Sequence, residues 1–186
     1  MKKILIAIFA VVTIVWIAIR VYPYRLTLAS DFDQKGIDIS HYNNVYNFSK
    51  LNGKYKFCIM KATEGKSLKD PKFKNYWSLS KKNGLIRGAY HYYLPGVSPD
   101  VQFKNFKNTV KLEKGDLPPF LDVEEKNIDV KDVNRWIKLC ESHYGVKPIV
   151  YCSICYFYKH LFGRLDKCQM WIASVNYGEK LKPNLI

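Results

Sequence analysis

The sequence predicts an α/β fold in which a mostly parallel sheet is covered by helices. Short apolar runs alternate along the chain with longer polar stretches that have helical periodicity. Most of these runs are apolar throughout, which is typical of strands buried on both faces of a parallel sheet. Gly84 and Gly145 follow two of the helical stretches, where a left-handed C-terminal cap is expected. Successive strand, helix and strand units imply right-handed crossovers and either a barrel or a doubly wound sheet.

Each predicted element follows from a particular stretch of the chain. The predicted strands cover residues 36–40, 57–62, 86–94, 119–124, 148–153 and 170–175. The predicted helices cover residues 70–83, 99–112, 130–144 and 154–162. A chain of 186 residues with 48% hydrophobic content fits one globular domain, which we place at residues 36–186 after a linker over residues 22–35.

Residues 1–21 have the composition of a targeting segment and not of a core element. Lys2 and Lys3 precede an uncharged apolar run from Ile4 to Ile19, and Arg20 follows it. No cleavage site of small residues comes after this run, so we predict an uncleaved signal anchor that forms a transmembrane helix. We therefore expect a membrane-anchored protein whose globular domain is exported to the periplasmic or extracellular face.

The charge balance limits the kinds of partner. Thirty Lys and Arg against sixteen Asp and Glu give a formal net charge of +14, which favours anionic surroundings such as nucleic acid, anionic lipid or an acidic wall polymer. The lysines are dispersed and no base-reading motif is present, so no nucleic-acid partner is predicted. The five cysteines are scattered and indicate buried thiols. We predict a monomer without a metal or another cofactor.

Polar residues gather where the predicted strands end. In a parallel barrel or an open parallel sheet, reactive groups collect at the carboxyl ends of the strands. The residues at these ends are Asp38, Lys61, Glu64, His91, Asp122, Glu124, Glu125 and Tyr151. Aromatic side chains that could stack on sugar rings accompany them, namely Tyr42, Tyr90, Tyr92, Tyr93, Tyr151 and Trp171. We expect most of these residues to meet at one mouth.

Asp122-Val123-Glu124 carries the sharpest chemical signal. Residues two apart on a strand point the same way and lie about 6 to 7 Å apart. Two such carboxylates in a partly desolvated cleft push one pKa upward, which leaves one group protonated and the other ionised, as glycosidic cleavage requires. Glu124 has the longer side chain and is the better proton donor. The alternatives are that these carboxylates cap the next helix, that Asp38 holds a loop and that His91 is a hydrogen-bonded core residue.

The ordered blocks together resemble the glycoside hydrolase family twenty-five muramidases, which are lysozymes. The blocks are GIDISHY, FCIMKATEG, GLIRGAYHYYLP, DLPPFLDVEE, YGVKPIVYCS and MWIAS, and they run from about Gly36 to Val175. The resemblance implies a flattened TIM-like (β/α)5(β)3 barrel. It also implies that the protein hydrolyses, with retention, the β-1,4 bond between N-acetylmuramic acid and N-acetylglucosamine in peptidoglycan.

The resemblance implies roles for individual residues as well. Glu124 matches the family's general acid, and Asp122 matches the assisting carboxylate two positions before it. Asp122 either attacks the sugar or helps the substrate's own acetamido group to attack, and both routes stay open. Substrate-binding roles are expected for Asp38, Lys61, Glu64, His91, Tyr92, Tyr151 and Trp171.

The sequence departs from the family pattern near its end. The family continues past the Trp-Ile-Ala strand with two further strands, of which the last carries another active-site Asp, whereas this chain ends at Ile186. Either the sequence is a fragment or the protein is degenerate, and in both cases we expect the C-terminal strands to be absent from this chain and the barrel to have an unpaired edge. An enzyme is the first interpretation. The alternative is a catalytically degenerate envelope protein that binds peptidoglycan without cutting it.

Overall fold

The structure, a computed structural model, describes residues 2–21 and 33–173. The strands are β1 (Gly36–Ile39), β2 (Phe57–Glu64), β3 (Leu68–Lys69), β4 (Ile86–Tyr92), β5 (Phe120–Asp122), β6 (Ile149–Ser153) and β7 (Gln169–Ala173). The helices are α1 (Lys2–Val21), α2 (Phe48–Asn52), α3 (Phe73–Lys82), α4 (Pro99–Thr109), α5 (Val130–Tyr144) and α6 (Ile154–Tyr156), and α6 continues as a π-helical turn over Phe157–Leu161.

The order of the strands decides between the two predicted architectures. One seven-stranded sheet runs in the order β1-β2-β4-β5-β6-β7, and the short β3 pairs antiparallel to β2. All the other pairs are parallel. Apart from β3, the order of the strands in the sheet is their order along the chain, so each new strand lies beside the previous one. A doubly wound sheet would reverse direction at a switch point, and this sheet does not. The described strands therefore form a curled, barrel-type half sheet, which confirms the α/β class.

The two faces of this sheet have different compositions. The outer face packs against the helices in a large apolar cluster that includes Met60, Leu121 and Trp136. The inner face carries a small apolar cluster centred on Ile59, Phe120 and Ile149. Successive residues of a strand point to opposite faces, so the sequence places each side chain on one face once the strand bounds are known.

Gly88 shows how tightly the inner face is packed. A Cβ atom at Gly88 would lie 2.9 Å from the ring of Phe120 and 3.1 Å from the side chain of Ile59. Such contacts are too close for an ordinary side chain, and overpacking a core typically costs about 1 to 3 kcal/mol. Glycine at this position therefore lets the strands curl around a filled interior.

Most predicted elements agree with the structure, and the ends of the strands differ most. The predicted helix over residues 130–144 has the observed bounds, and Gly145 after it is left-handed with φ 72°. The predicted strand over residues 119–124 is shorter, because pairing of β5 ends at Asp122 and leaves Glu124 in the following loop. The sequence does not predict α2 and β3, which are too short for a periodic signal.

Two predictions concern the ends of the chain. Residues 2–21 form a helix as expected, but no helix within the described parts of the chain is long and apolar enough to cross a membrane. The predicted transmembrane helix is therefore not supported. Most of the predicted linker and everything after Ala173 lie outside the described residues, so the expected absence of the C-terminal strands stays a prediction.

Candidate active site

The backbone that carries Asp122 and Glu124 is fixed on both sides. The β5 strand lies in the middle of the sheet, between β4 and β6. Beyond the paired residues, the Tyr93 amide donates to the Asp122 carbonyl at 3.0 Å and the Val123 amide donates to the Tyr151 carbonyl at 2.9 Å. These bonds continue the ladder through the end of β5. They hold both carboxylates at the carboxyl edge, where a parallel barrel places its reactive groups.

Asp122 is a buried carboxyl group with an unused acceptor. The residue is only 8% exposed, and its Oδ1 atom has no hydrogen-bond partner among the described residues. Burial is the main cause that raises the pKa of Asp122 to about 8, the charges of Glu124, Asp38 and Glu125 contribute to this rise, and the charge of Lys61 opposes it. A buried acceptor without a partner is costly, so its retention points to a ligand that donates to it.

Glu124 differs from Asp122 in its access to solvent. It is exposed at the mouth of the cleft, just beyond the end of β5. Partial desolvation and the charges of Glu125 and Asp38 raise its pKa, while a hydrogen bond from Tyr151 lowers it. In the free protein, Asp122 therefore has the markedly raised pKa, whereas the sequence predicted that Glu124 would hold the proton. The two residues differ because Asp122 is buried within β5 and Glu124 lies beyond the end of that strand.

An ion pair and two tyrosine contacts line the side of the cleft next to β2. The Lys61 ammonium lies 2.6 Å from Glu64 Oε2 and 4.9 Å from the centroid of the Tyr92 ring. The Tyr92 hydroxyl donates to Glu125 Oε1 at 2.8 Å. Lys61 is itself buried, so its charge acts on Asp122 through a poorly screened environment.

Aromatic rings form the opposite wall of the cleft. The rings of Tyr151 and Trp171 contact edge to face at 4.9 Å, and Trp171 also contacts Phe120 at 5.9 Å. Burial and the charge of Glu124 raise the pKa of Tyr151, so its hydroxyl stays protonated and able to donate. Asp38 lies on the first strand and its charge acts on Asp122, which places it at the same mouth.

His91 does not lie in this cleft. The residue is 0% exposed and lies on the outer face, where its ring stacks with Trp136 at 6.0 Å. Its Nδ1 lies 2.7 Å from Thr63 Oγ1, and its Nε2 lies 3.1 Å from Gln102 Oε1. The amide oxygen of Gln102 only accepts, so Nε2–H donates and Nδ1 accepts from the threonine. The substrate-binding role predicted for His91 does not fit this position. In β4 the side chains of Tyr90 and Tyr92 point toward the cleft, and His91, which lies between them in the strand, points away from it.

Three further residues, Tyr90, Glu125 and Asp70, lie in or beside the site, and the sequence predicted them only in part. Tyr90 was named only as a ring that could stack on sugars and Glu125 only as a polar residue at a strand end; the charge of Asp122 raises the pKa of Tyr90, and the charge of Glu125 raises the pKa of Asp122. Asp70 was missed altogether. It holds the loop after β1 by accepting from the His41 amide at 2.9 Å, although it lies 29 residues further along the chain. No local pattern reports a contact of that separation.

The arrangement matches the chemistry of a coupled acid pair. The pKa values of both carboxyl groups are raised, and the charge of Glu124 contributes to the rise at Asp122, so we treat the two groups as an interacting pair. The deep member presents a free acceptor, and the outer member can deliver a proton to a bound ligand. Such pairs with aromatic walls are typical of glycoside hydrolysis.

Comparisons with known proteins find relatives of this chain. Uncharacterized protein YegX of Escherichia coli (strain K12) is 36% identical over 172 residues, which covers 83% of this chain and 63% of that protein. Lysozyme M1 of Streptomyces globisporus is 33% identical over 125 residues, or 61% of this chain and 42% of that one. The chain therefore spans less than two thirds of the length of these relatives.

A solved structure has a similar fold. A family 25 glycosyl hydrolase from Bacillus anthracis aligns with a TM-score of 0.75 at 26% identity, covering 83% of this chain and 76% of that one. The family model described as glycosyl hydrolases family 25 matches residues 37–184. Since this match includes nearly the whole sheet and both carboxylates, the chain belongs to glycosyl hydrolase family 25.

Proposed function

We propose that this protein is a muramidase that hydrolyses the β-1,4 bond between N-acetylmuramic acid and N-acetylglucosamine in peptidoglycan. The observation that carries the proposal is the buried Asp122 carboxyl group, with its free Oδ1 acceptor, beside the solvent-accessible Glu124. Family membership and relatives named lysozyme and N,O-diacetylmuramidase support the substrate class.

Glu124 acts as the general acid in this proposal. It lies at the mouth, where a leaving sugar oxygen can approach, and desolvation raises its pKa, which is the direction that a proton donor requires. When the glycosidic bond breaks, that proton goes to the 4-oxygen of the leaving N-acetylglucosamine. Ionised Glu124 then removes a proton from the water that completes hydrolysis.

Asp122 assists the substrate's own acetamido group. Its free Oδ1 can accept a hydrogen bond from the acetamido N–H, which turns the acetamido oxygen toward the anomeric carbon of N-acetylmuramic acid. That bond favours the ionised form of Asp122, so the proton of the pair then resides on Glu124. This resolves the difference between the free protein, where burial protonates Asp122, and the catalytic arrangement.

The remaining residues of the cleft bind and orient the sugars. Trp171 and Tyr151 offer aromatic faces, and Tyr92 and Lys61 form the facing side. Asp38 and Glu64 supply acceptors for sugar hydroxyl groups. His91 is excluded from this set because it is saturated in the core.

Export belongs to the proposal because peptidoglycan lies outside the cytoplasmic membrane. The membrane anchor over residues 1–21 stays a prediction from the sequence, and the catalytic proposal does not depend on it. Fractionation of cells that express the full chain, with and without residues 1–21, tests the anchor. Equal amounts in the soluble fraction would contradict it.

Glu124→Gln tests the proposed reaction most directly. We expect the full chain to release muropeptides with new reducing ends at muramic acid, and the variant to lose about 10²- to 10⁴-fold in turnover because the acid is gone. The measurement is chromatography of reduced muropeptides from purified peptidoglycan. A folded parent that releases nothing would overturn the proposal in favour of a protein that only binds the wall, and a variant with near-normal turnover would remove Glu124 from its role.

A further inference from the structure

Two tyrosines in the loop between β1 and α2 are far more exposed than any other large apolar side chain described in the sheet domain. Tyr42 is 81% exposed and Tyr46 is 91% exposed, whereas Tyr158, next in that domain, is 54% exposed. This loop, residues 40–47, leaves the carboxyl end of β1 and therefore lies at the same edge of the sheet as the acid pair.

The loop is held in one conformation by side chains. The Ser40 amide donates to Asn43 Oδ1 at 2.8 Å, and the Tyr76 hydroxyl donates to the Asn43 carbonyl at 2.6 Å. Lys72 Nζ also donates to the Asn43 carbonyl, at 3.2 Å. An exposed ring on a fixed loop loses little conformational entropy on binding, so such a ring is preorganised for a ligand.

The ring of Tyr42 packs against the ring of His41. Its ring lies 3.9 Å from the His41 ring, and His41 Nδ1 lies 2.7 Å from Asp70 Oδ2. The Asp70 side chain is almost completely buried and also accepts from the His41 amide at 2.9 Å. Tyr42 thus rests on a fixed imidazole while most of its own surface faces solvent.

Tyr90 connects this loop to the cleft. A hydrogen bond from Ser40 lowers the pKa of Tyr90, while burial and the charges of Asp122, Asp38 and Asp70 raise it. The ring of Tyr90 lies on the inner face with the small apolar cluster. Residues of the loop and residues of the acid pair therefore act on the same hydroxyl group, and the loop borders the cleft.

We propose that Tyr42 and Tyr46 form a sugar-stacking platform that binds N-acetylated sugar rings of the glycan strand beyond the two that flank the cleaved bond. The C–H faces of a pyranose ring pack on an aromatic ring, and a tyrosine supplies that surface with a polar tip that stays in water. The platform rests on the proposed function, because it binds the same strand that the acid pair cuts. It makes the protein favour long glycan strands over short fragments.

Binding in an inactive background tests the platform separately from catalysis. In full-length Glu124→Gln protein, we expect Tyr42→Ala to raise the apparent Kd for insoluble peptidoglycan roughly three- to tenfold, which corresponds to a stacking contact. Tyr46→Ala should have a smaller effect in the same direction, and Tyr42→Trp should retain binding. Tyr158→Ala, at an exposed tyrosine of the π-helical turn, is the matched control and should bind normally. Co-sedimentation with purified sacculi measures these values.

Kinetics of the active chain give an independent readout. Tyr42→Ala should raise KM for long glycan strands by a similar factor and leave kcat unchanged, while turnover of the disaccharide of N-acetylmuramic acid and N-acetylglucosamine, which holds only the two rings that flank the cleaved bond, stays at the parent level. Unchanged binding and KM in a folded Tyr42→Ala variant would overturn the platform and leave the muramidase proposal standing. If the folded parent cuts nothing but binds peptidoglycan, and Tyr42→Ala weakens that binding, the platform is supported and the muramidase proposal is overturned.

Discussion

Asp122 and His91 are both buried and titratable and lie on neighbouring strands, yet they face opposite sides of the sheet and differ in hydrogen bonding. Tyr92, the residue after His91, pairs with Asp122 across β4 and β5. His91 points outward and has a partner on each ring nitrogen, whereas Asp122 points inward and leaves Oδ1 without one. Saturated hydrogen bonding is typical of a structural residue, and an unmet buried acceptor among like charges is typical of a functional site.

The same two residues shift stability with pH in opposite directions. Burial lowers the pKa of His91 from 6.5 to about 4, so between these values the unfolded chain binds a proton that the folded one excludes. Stability therefore falls as the pH drops from 6.5 to 4. Burial raises the pKa of Asp122 from 3.8 to about 8, so the folded chain binds the extra proton and stability falls as the pH rises through that interval.

Of the substitutions that test this difference between Asp122 and His91, Asp122→Asn should have the largest effect on activity. We expect a loss of about 10²- to 10³-fold in kcat, because the ionised carboxylate that orients the acetamido group is gone. We also expect a higher melting temperature, by about 3 °C or more at pH 9 and by less at pH 5, because a neutral amide avoids the cost of a buried charge. Thermal unfolding at both pH values measures the second effect. A variant that is equally destabilised at pH 5 and pH 9 would contradict the assignment of Asp122 as a strained functional group.

Lys61→Met should have an intermediate effect, on the order of tenfold in kcat/KM. The charge of Lys61 lowers the pKa of Asp122, so its removal should move the alkaline limb of the pH profile to higher pH. Lys61→Arg keeps the charge and is the matched control. Profiles of kcat/KM against pH for the three proteins measure the shift. An alkaline limb that stays in place in Lys61→Met would show that Lys61 serves only to bind substrate.

His91→Leu should have the smallest effect on activity. Loss of its bonds to Thr63 and Gln102 should lower the free energy of unfolding by about 1 to 3 kcal/mol and leave KM within about twofold of the parent. The loss of stability on acidification from pH 6.5 to 4 should also become shallower. Denaturant unfolding at pH 7 and pH 5 tests both expectations. A large rise in KM without a loss of stability would return His91 to the substrate site.

The sequence located the acid pair because the Asp-x-Glu spacing and its apolar neighbours are local. It made His91 a site candidate for the same reason, since His91 also lies at the end of an apolar strand. Only the bounds of β4 show which way His91 points, and a shift of one residue reverses the face. Asp70 and the loop of Tyr42 depend on a contact between distant parts of the chain, which no local pattern contains.

The sequence by itself determined the α/β class, most of the elements, the family resemblance and the positions of Asp122 and Glu124, because these depend on periodicity and short spacings. The tertiary structure decided the one-way winding of the sheet, the outward face of His91 and the greater burial of Asp122. It also decided which tyrosines stay exposed at the mouth. The physical reason is that burial, and with it pKa and hydrogen-bond saturation, depends on which distant segments pack against a residue.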